Sequence, residues 1–318
     1  MTLDPNNRPG GSTLVLTAKS ANKIQWFDAD TLARIADLEM PASTHELIRS
    51  PDGAKIYGSV YGGGIFGKNK GADRRIAVID LASKSLERTI DVGGNFAPHS
   101  VMMDDNGTLW STAELGNAVL AINPGSGKVS RIDVGGSPHW IAVSHPTHKL
   151  FASFKTKEAV AVLHTTSRKL LGTIAIPHGA EGVAVSPNGE LLFVCAHWKG
   201  VVYVFDVRTH ALRKTVAIEG APGEANQLRR VRVSPDGRYV CASSHVDNFA
   251  AVFDAATLKQ IGGFATPKAP MGFGFAADGK HAYLCCHDAA VTLEFELVSA
   301  RITRQFPTAA GCEFVICY

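Results

Sequence analysis

Residues 180–218 read AEGVAVSPNGELLFVCAHWKGVVYVFDVRTHALRKTVAI, and this stretch decides the fold. It contains four short apolar or β-branched runs: 180–185, Leu191–His197, Val201–Asp206 and Leu212–Ile218. Each has the length of a strand, and turn residues separate them. Pro187-Asn188-Gly189 is a turn with a mechanism, because Pro presets φ and Asn and Gly tolerate positive φ. The unit recurs along the chain with a spacing of about 40–45 residues. Four strands per unit at that period is the pattern of a β-propeller blade.

The third strand of the unit is the easiest to follow. It recurs seven times, at Ile24–Asp28, Ile76–Asp80, Val119–Asn123, Val160–His164, Val202–Asp206, Ala250–Asp254 and Val291–Phe295. A fourth strand follows each copy. Seven copies predict an all-β, seven-bladed β-propeller with four antiparallel strands per blade, one domain over residues 1–318 with 1–12 as an N-terminal extension. The chain opens on a second strand, Thr13–Thr17, and closes on a first strand, Glu313–Tyr318. The last blade is therefore expected to draw on both ends of the chain, which closes the ring.

Two connections are longer than the rest. One, Tyr61–Arg75, joins a second to a third strand. The other, Glu219–Leu228, joins a fourth strand to the next first strand. In an antiparallel blade both kinds of connection lie on one face, so the two insertions are expected to narrow one mouth of the channel.

Composition excludes several classes. Of the 318 residues 45% are hydrophobic and 19% charged, which suits a packed domain. A net charge of +3 is too small to argue for nucleic acid. No apolar run has the length of a membrane span. The first ten residues carry no apolar signal core, so the expected compartment is the cytoplasm, or the periplasm if a leader has been removed. All six cysteines fall in apolar strand runs with no CxxC pair, which reads as free buried thiols. Oligomeric state is left open.

The repeat motifs Ser-Pro-Asp-Gly (50–53 and 234–237), Val-Ile-Asp (78–80), Thr-Ile-Asp-Val-Gly-Gly (89–94) and Pro-His-Ser-Val (98–101) resemble those of the YVTN family. That family contains YncE-like propellers and seven-bladed lactonases. The resemblance implies the propeller fold over nearly the whole chain, and leaves function open because the fold hosts unrelated activities.

Positions that are structural should look alike in every blade, and polar positions that vary need another reason. The start of the first strand is such a position. His45, His99, His139, Glu181, Arg229, Met271 and Glu313 are expected to ring one mouth of the channel. A second ring, at the ends of the second strands, holds Lys19, Tyr61, Glu114, Lys155, His197, His245 and His287. Each blade is expected to pair one residue of each ring, as His99 with Glu114 and His139 with Lys155.

Two chemistries fit. In one, Glu114 raises the basicity of His99, with His139 and His45 beside it. Arg229, Arg230, Lys155, Lys19, Tyr61, His197, His245 and His287 would then hold a small anionic substrate. Pro98-His99-Ser100-Val101, Glu114 and the Arg229-Arg230 pair resemble lactonase motifs, which implies hydrolysis of a small lactone or the reverse ring closure. In the other, His45, His99 and His139 bind one divalent metal, Zn, Fe or Mn, with Glu181 or Glu313 completing the set for lyase or oxygenase chemistry. A non-catalytic, YncE-like binding propeller is the third reading. Trp140 reads equally as a stacking wall and as blade packing. There is no Gly-rich phosphate loop, no Ser/His/Asp order and no nucleotide fingerprint.

Overall fold

The computed structural model describes residues 13–63, 71–94, 96–223 and 227–318. These form seven four-stranded antiparallel sheets arranged as the blades of a propeller. Six blades run in chain order. Their inner strands are Thr44–Arg49, Pro98–Met103, Pro138–Ser144, Ala180–Val185, Leu228–Val233 and Pro270–Phe275. They are numbered 1 to 6 here. In blade 7 the C-terminal strand Cys312–Cys317 pairs with Thr13–Ala18, which continues outward to Lys23–Asp28 and Arg34–Glu39. Thr13 and Tyr318 exchange backbone hydrogen bonds of 3.0 and 2.9 Å, so the two ends of the described chain meet in one ladder.

Burial follows strand position. The third strand Val201–Asp206 is buried at every residue but the last, whereas the outer strand Lys169–Ala175 is exposed except at Ile174. Alternating side chains of the middle strands face the two neighbouring blades. The apolar clusters accordingly bridge blades: Trp140, Phe151 and Ile174 of blade 3 pack with Val194, Tyr203 and Phe205 of blade 4.

The Ser-Pro-Asp/Asn-Gly turns behave as their residues dictate. Gly53, Gly189 and Gly237 sit at φ of +74°, +72° and +74°, and their N–H groups donate to the carbonyls of Ser50, Ser186 and Ser234. The serine hydroxyl then accepts the N–H of the residue that starts the next strand, as Leu191 to Ser186 at 2.9 Å. Asp80, Asp206 and Asp254 cap the next turn by accepting backbone N–H groups three residues on.

The Tyr61–Arg75 insertion lengthens the second and third strands of blade 1 to Lys55–Gly63 and Gly71–Asp80, paired as far as Gly63 with Gly71. It leaves the sheet on the face where inner strands begin, as does the connection 219–228. Their tips, 64–70 and 224–226, lie outside the described residues, as does the extension 1–12. No helix among the described residues is long and apolar enough to cross a membrane.

Candidate functional site

Every inner strand begins with an irregularity. Its register against the second strand slips between Thr44 and Leu47, Pro98 and Val101, Pro138 and Ile141, and at the corresponding places in the other blades. Such a bulge re-aims side chains, here placing two consecutive residues per blade at the channel mouth.

Both rings expected from the repeat are present, and one hydrogen bond per blade fixes their relation. The N–H of each second-ring residue donates to the carbonyl two residues before its own blade's first-ring residue. The seven bonds are Lys19 to Gly311, Tyr61 to Ser43, Glu114 to Ala97, Lys155 to Ser137, His197 to Gly179, His245 to Gln227 and His287 to Ala269.

The side chains do not pair as expected within blades. Glu114 does not meet His99. Its Oε1 lies 2.8 Å from Nδ1 of His139 in the next blade. Lys155 donates to both oxygens of Glu181, again one blade on, at 2.7 Å. His287 Nε2 approaches Glu313 of the next blade at 3.8 Å. The strand twist carries second-strand ends over the neighbouring inner strand, which strand order alone does not convey. Two expected pairs hold: His197 Nδ1 is 3.5 Å from Glu181, and the His45 and Tyr61 rings lie 4.4 Å apart. Lys19 lies 5.6 Å over the Tyr61 ring.

The three first-ring histidines stack. Ring centroids are 4.5 Å apart for His45 and His99 and 3.8 Å for His99 and His139. Trp140 meets the edge of His99 at 4.5 Å, and the Arg230 guanidinium lies 3.2 Å over the Trp140 ring, so this tryptophan is both wall and core. A stack is not a chelate. Nδ1 of His139 faces Glu114, Glu181 faces Lys155 and Arg229, and Glu313 faces Arg230. Among the described residues no group of three or more His, Cys, Asp or Glu is placed to hold a metal ion. The expected set His45, His99, His139, Glu181 and Glu313 is corrected on that geometry.

Charge is arranged in depth. Burial would push the Glu181 carboxyl up, but Lys155, His139 and Arg229 hold it well below the usual range. Glu313 is lowered as well, where Lys19 and Arg230 outweigh burial. Burial lowers Lys19 and Lys155 despite these carboxylates. Burial drives His45 and His99 well below the ordinary imidazole value and His197 down to about 4. These three rings are therefore neutral near pH 7. His245 is lowered too, by burial and then by Arg229.

Glu46 was not anticipated from the sequence. It follows His45 and is buried at 4% exposure. Ser100 donates to its Oε2 at 3.3 Å, and Arg230 stands 3.9 Å from its Oε1. Burial outweighs Arg230 and raises its pKa to about 7. Glu46, Ser100, Trp140 and Arg230 occupy one repeat position, the second residue of the bulge.

Among the described residues, several buried polar atoms here have no hydrogen-bond partner: both nitrogens of His45, Nδ1 of His99 and of His245, Oε2 of Glu114 and Nε1 of Trp140. Each such atom costs about 1–3 kcal/mol when left unmet. Their concentration at one mouth marks a place built to meet solvent or a ligand. The six cysteines are buried free thiols apart from this chemistry, and burial pushes Cys317 up to about 11.

Comparison with known proteins supports the architecture. No family model matches the chain. A 133-residue stretch, 41% of this chain, is 26% identical to the protein groucho of Drosophila melanogaster, and spans 18% of that protein's length. The Kuenenia stuttgartiensis hydrazine synthase superposes with a TM-score of 0.74 over 98% of this chain and 97% of the other, at 16% identity. That likeness is one of fold.

Proposed function

We propose that the protein is an enzyme acting on a small organic anion at this mouth, by lactonase-like hydrolysis or the reverse ring closure. The observation that carries the reading is the 2.8 Å contact between Glu114 Oε1 and His139 Nδ1, both almost wholly buried. A carboxylate on Nδ1 fixes the imidazole tautomer and leaves Nε2 for proton transfer. Nε2 lies 3.4 Å from Glu181, the carboxylate shared by Lys155 and Arg229. An anionic substrate group would compete for those two cations, which sets its reacting carbon beside His139. The role first assigned to His99 thus passes to His139, with His99 packed against it.

In the hydrolytic direction water attacks the lactone carbonyl as its proton moves to Nε2 of His139. The ring C–O bond then breaks, and the leaving oxygen takes that proton to give a hydroxy acid. Lys155 would steady the negative charge on the carbonyl oxygen. The resemblance of Pro98-His99-Ser100-Val101, Glu114 and Arg229-Arg230 to lactonase motifs supports the same reading.

The test is a lactone panel with His139→Gln and Glu114→Gln. His139→Gln is expected to lower kcat by about 10²–10⁴-fold with the fold retained by circular dichroism. Glu114→Gln should lower kcat less and alter the pH profile. Wild-type kcat in His139→Gln would remove this histidine from the mechanism. A second reading, a YncE-like propeller that binds the anion without turning it over, is favoured by the low exposure of His99 (3%) and Glu114 (1%). It predicts ligand binding with no turnover across the panel.

A further inference from the structure

The position immediately after each second-ring residue is exposed in six of the seven blades, Gly62 of blade 1 being buried, and there it forms the rim of the mouth. Its occupants are not uniform. Blades 7, 1, 3 and 6 carry Ser20, Gly62, Thr156 and Asp288, which are small or polar. Blades 2, 4 and 5 carry Leu115, Trp198 and Val246, which are 46%, 60% and 52% exposed. Leu115 and Trp198 are held alike, each N–H donating to the carbonyl three residues before its blade's first-ring residue: Phe96 at 3.1 Å and His178 at 3.0 Å. The Trp198 ring stands edge-on to His197 at 4.0 Å, so it rises directly beside the site.

Exposed apolar side chains scattered singly need no explanation. These three share one repeat position, and two stand in adjacent blades flanking the cations. Lys155 of blade 3 and Arg229 of blade 5 both converge on Glu181 of blade 4, the blade that carries Trp198. The mouth therefore has a cationic floor with an apolar wall on the same side, while blades 6 and 7 place Asp288 and Ser20 at the rim.

We propose that the substrate is a carboxylate or carboxylate-forming lactone with an apolar body, alkyl or aryl. Its charged end would lie over Lys155 and Arg229, and its body against Trp198 and Val246. This rests on the functional reading above and adds the part of the ligand that the acid–base groups do not specify. A small hydrophilic anion would leave the wall in water, whereas each CH₂ placed against it tightens binding by up to about fourfold. Trp suits this place because its flat face accepts both alkyl and aryl groups at little conformational cost.

The protein carries its own reporter. Trp26 and Trp110 are fully buried and Trp140 is 5% exposed, so the solvent-sensitive part of the indole emission belongs to Trp198. Titration with acetate, hexanoate and phenylacetate, probes that share a headgroup, should give a blue shift and tighter binding for the last two. The expected gain is on the order of tenfold or more. In Trp198→Ala, followed by calorimetry because the reporter is lost, hexanoate and phenylacetate should weaken toward acetate while acetate is unchanged. In Val246→Ser the gap should narrow.

Equal affinity for all three probes, or a gap that survives Trp198→Ala, would overturn the apolar-body assignment and leave the anion site standing. Failure of every carboxylate to bind would overturn the anion reading itself, and this inference with it. If sedimentation shows a concentration-dependent dimer that Trp198→Ala abolishes, the rim is a self-association face and the substrate assignment falls.

Discussion

Glu46 ties the channel to pH. Its carboxyl is enclosed by Arg230, Arg232, Glu313 and Ser100, and its pKa stands at about 7 against 4.5 for an ordinary glutamate. As pH rises from about 4.5 to about 7 the unfolded chain releases this proton before the native protein does. The native state then loses stability, by up to about 3 kcal/mol once the change is complete. His45 and His99 act in the opposite sense, because their native pKa values lie well below 6.5. Their contribution is present above that value and is lost as pH falls through it. Glu46→Gln keeps an acceptor for Ser100 but cannot ionise. It is expected to unfold at higher urea than the parent at pH 8 and at nearly the same urea at pH 5. An equal offset at both values would mean that Glu46 does not titrate where stated. The first-ring residues were legible because seven copies of one position can be compared side by side. Glu46 was not, because strict β alternation points it away from the channel, and only the bulge turns it in.

At the scale of the element, the bulge is secured by a hydroxyl that also joins blades. Thr112 accepts the N–H of Ser100 at 3.0 Å and donates to the carbonyl of His139 in the next blade at 2.9 Å. Thr17 does the same for Phe314 and His45, and Ser59 for Glu46 and His99. Ser243 donates to the Met271 carbonyl at 3.0 Å. The equivalent positions in blades 4 and 6 hold Cys195 and Cys285, and there the facing bulge residue is Gly182 or Gly272. A Cβ on Gly182 would lie 2.8 Å from the Arg229 carbonyl oxygen, and one on Gly272 would lie 2.6 Å from that of Glu313. In those two blades close backbone packing takes the place of the hydroxyl bridge. Thr112→Val preserves shape but leaves one N–H and one C=O without partners beneath His139. The expected loss is about 2–4 kcal/mol, read from the urea midpoint. A loss within error would show that this hydroxyl does not hold the two blades together. These bridges, like the Glu114–His139 and Lys155–Glu181 contacts, run to the next blade. Strand spacing orders residues within a blade but does not report the offset between blades, which is why Glu114 meets His139 and Lys155 meets Glu181 across blades while His45 with Tyr61 and Glu181 with His197 pair within one.

At the scale of the molecule, closure of the ring and construction of the site are one event. The strand Cys312–Cys317 completes blade 7 against Thr13–Ala18 and also delivers Glu313, which accepts from Arg230 at 3.0 Å. Arg230 in turn stacks on Trp140 and stands near Glu46, on the far side of the channel. The chain ends are therefore wired to the blade that carries His139. Two variants separate the roles of the strand. Deleting residues 312–318 exposes the buried faces of Leu14, Leu16, Tyr283 and Cys285, all in one apolar cluster, and opens the ring. This form is expected to lose cooperative thermal unfolding and to aggregate. Glu313→Gln keeps the strand and its apolar contacts but removes the charge facing a buried arginine. Because breaking a buried pair costs about 3–5 kcal/mol, it should stay folded with a lowered midpoint. It should also weaken the anion site, since Arg230 is freed to turn toward Glu46 and away from Trp140. If Glu313→Gln matched the parent in midpoint and ligand affinity while the deletion abolished folding, closure would rest on backbone pairing and apolar burial alone. The last strand would then close the ring without building the site.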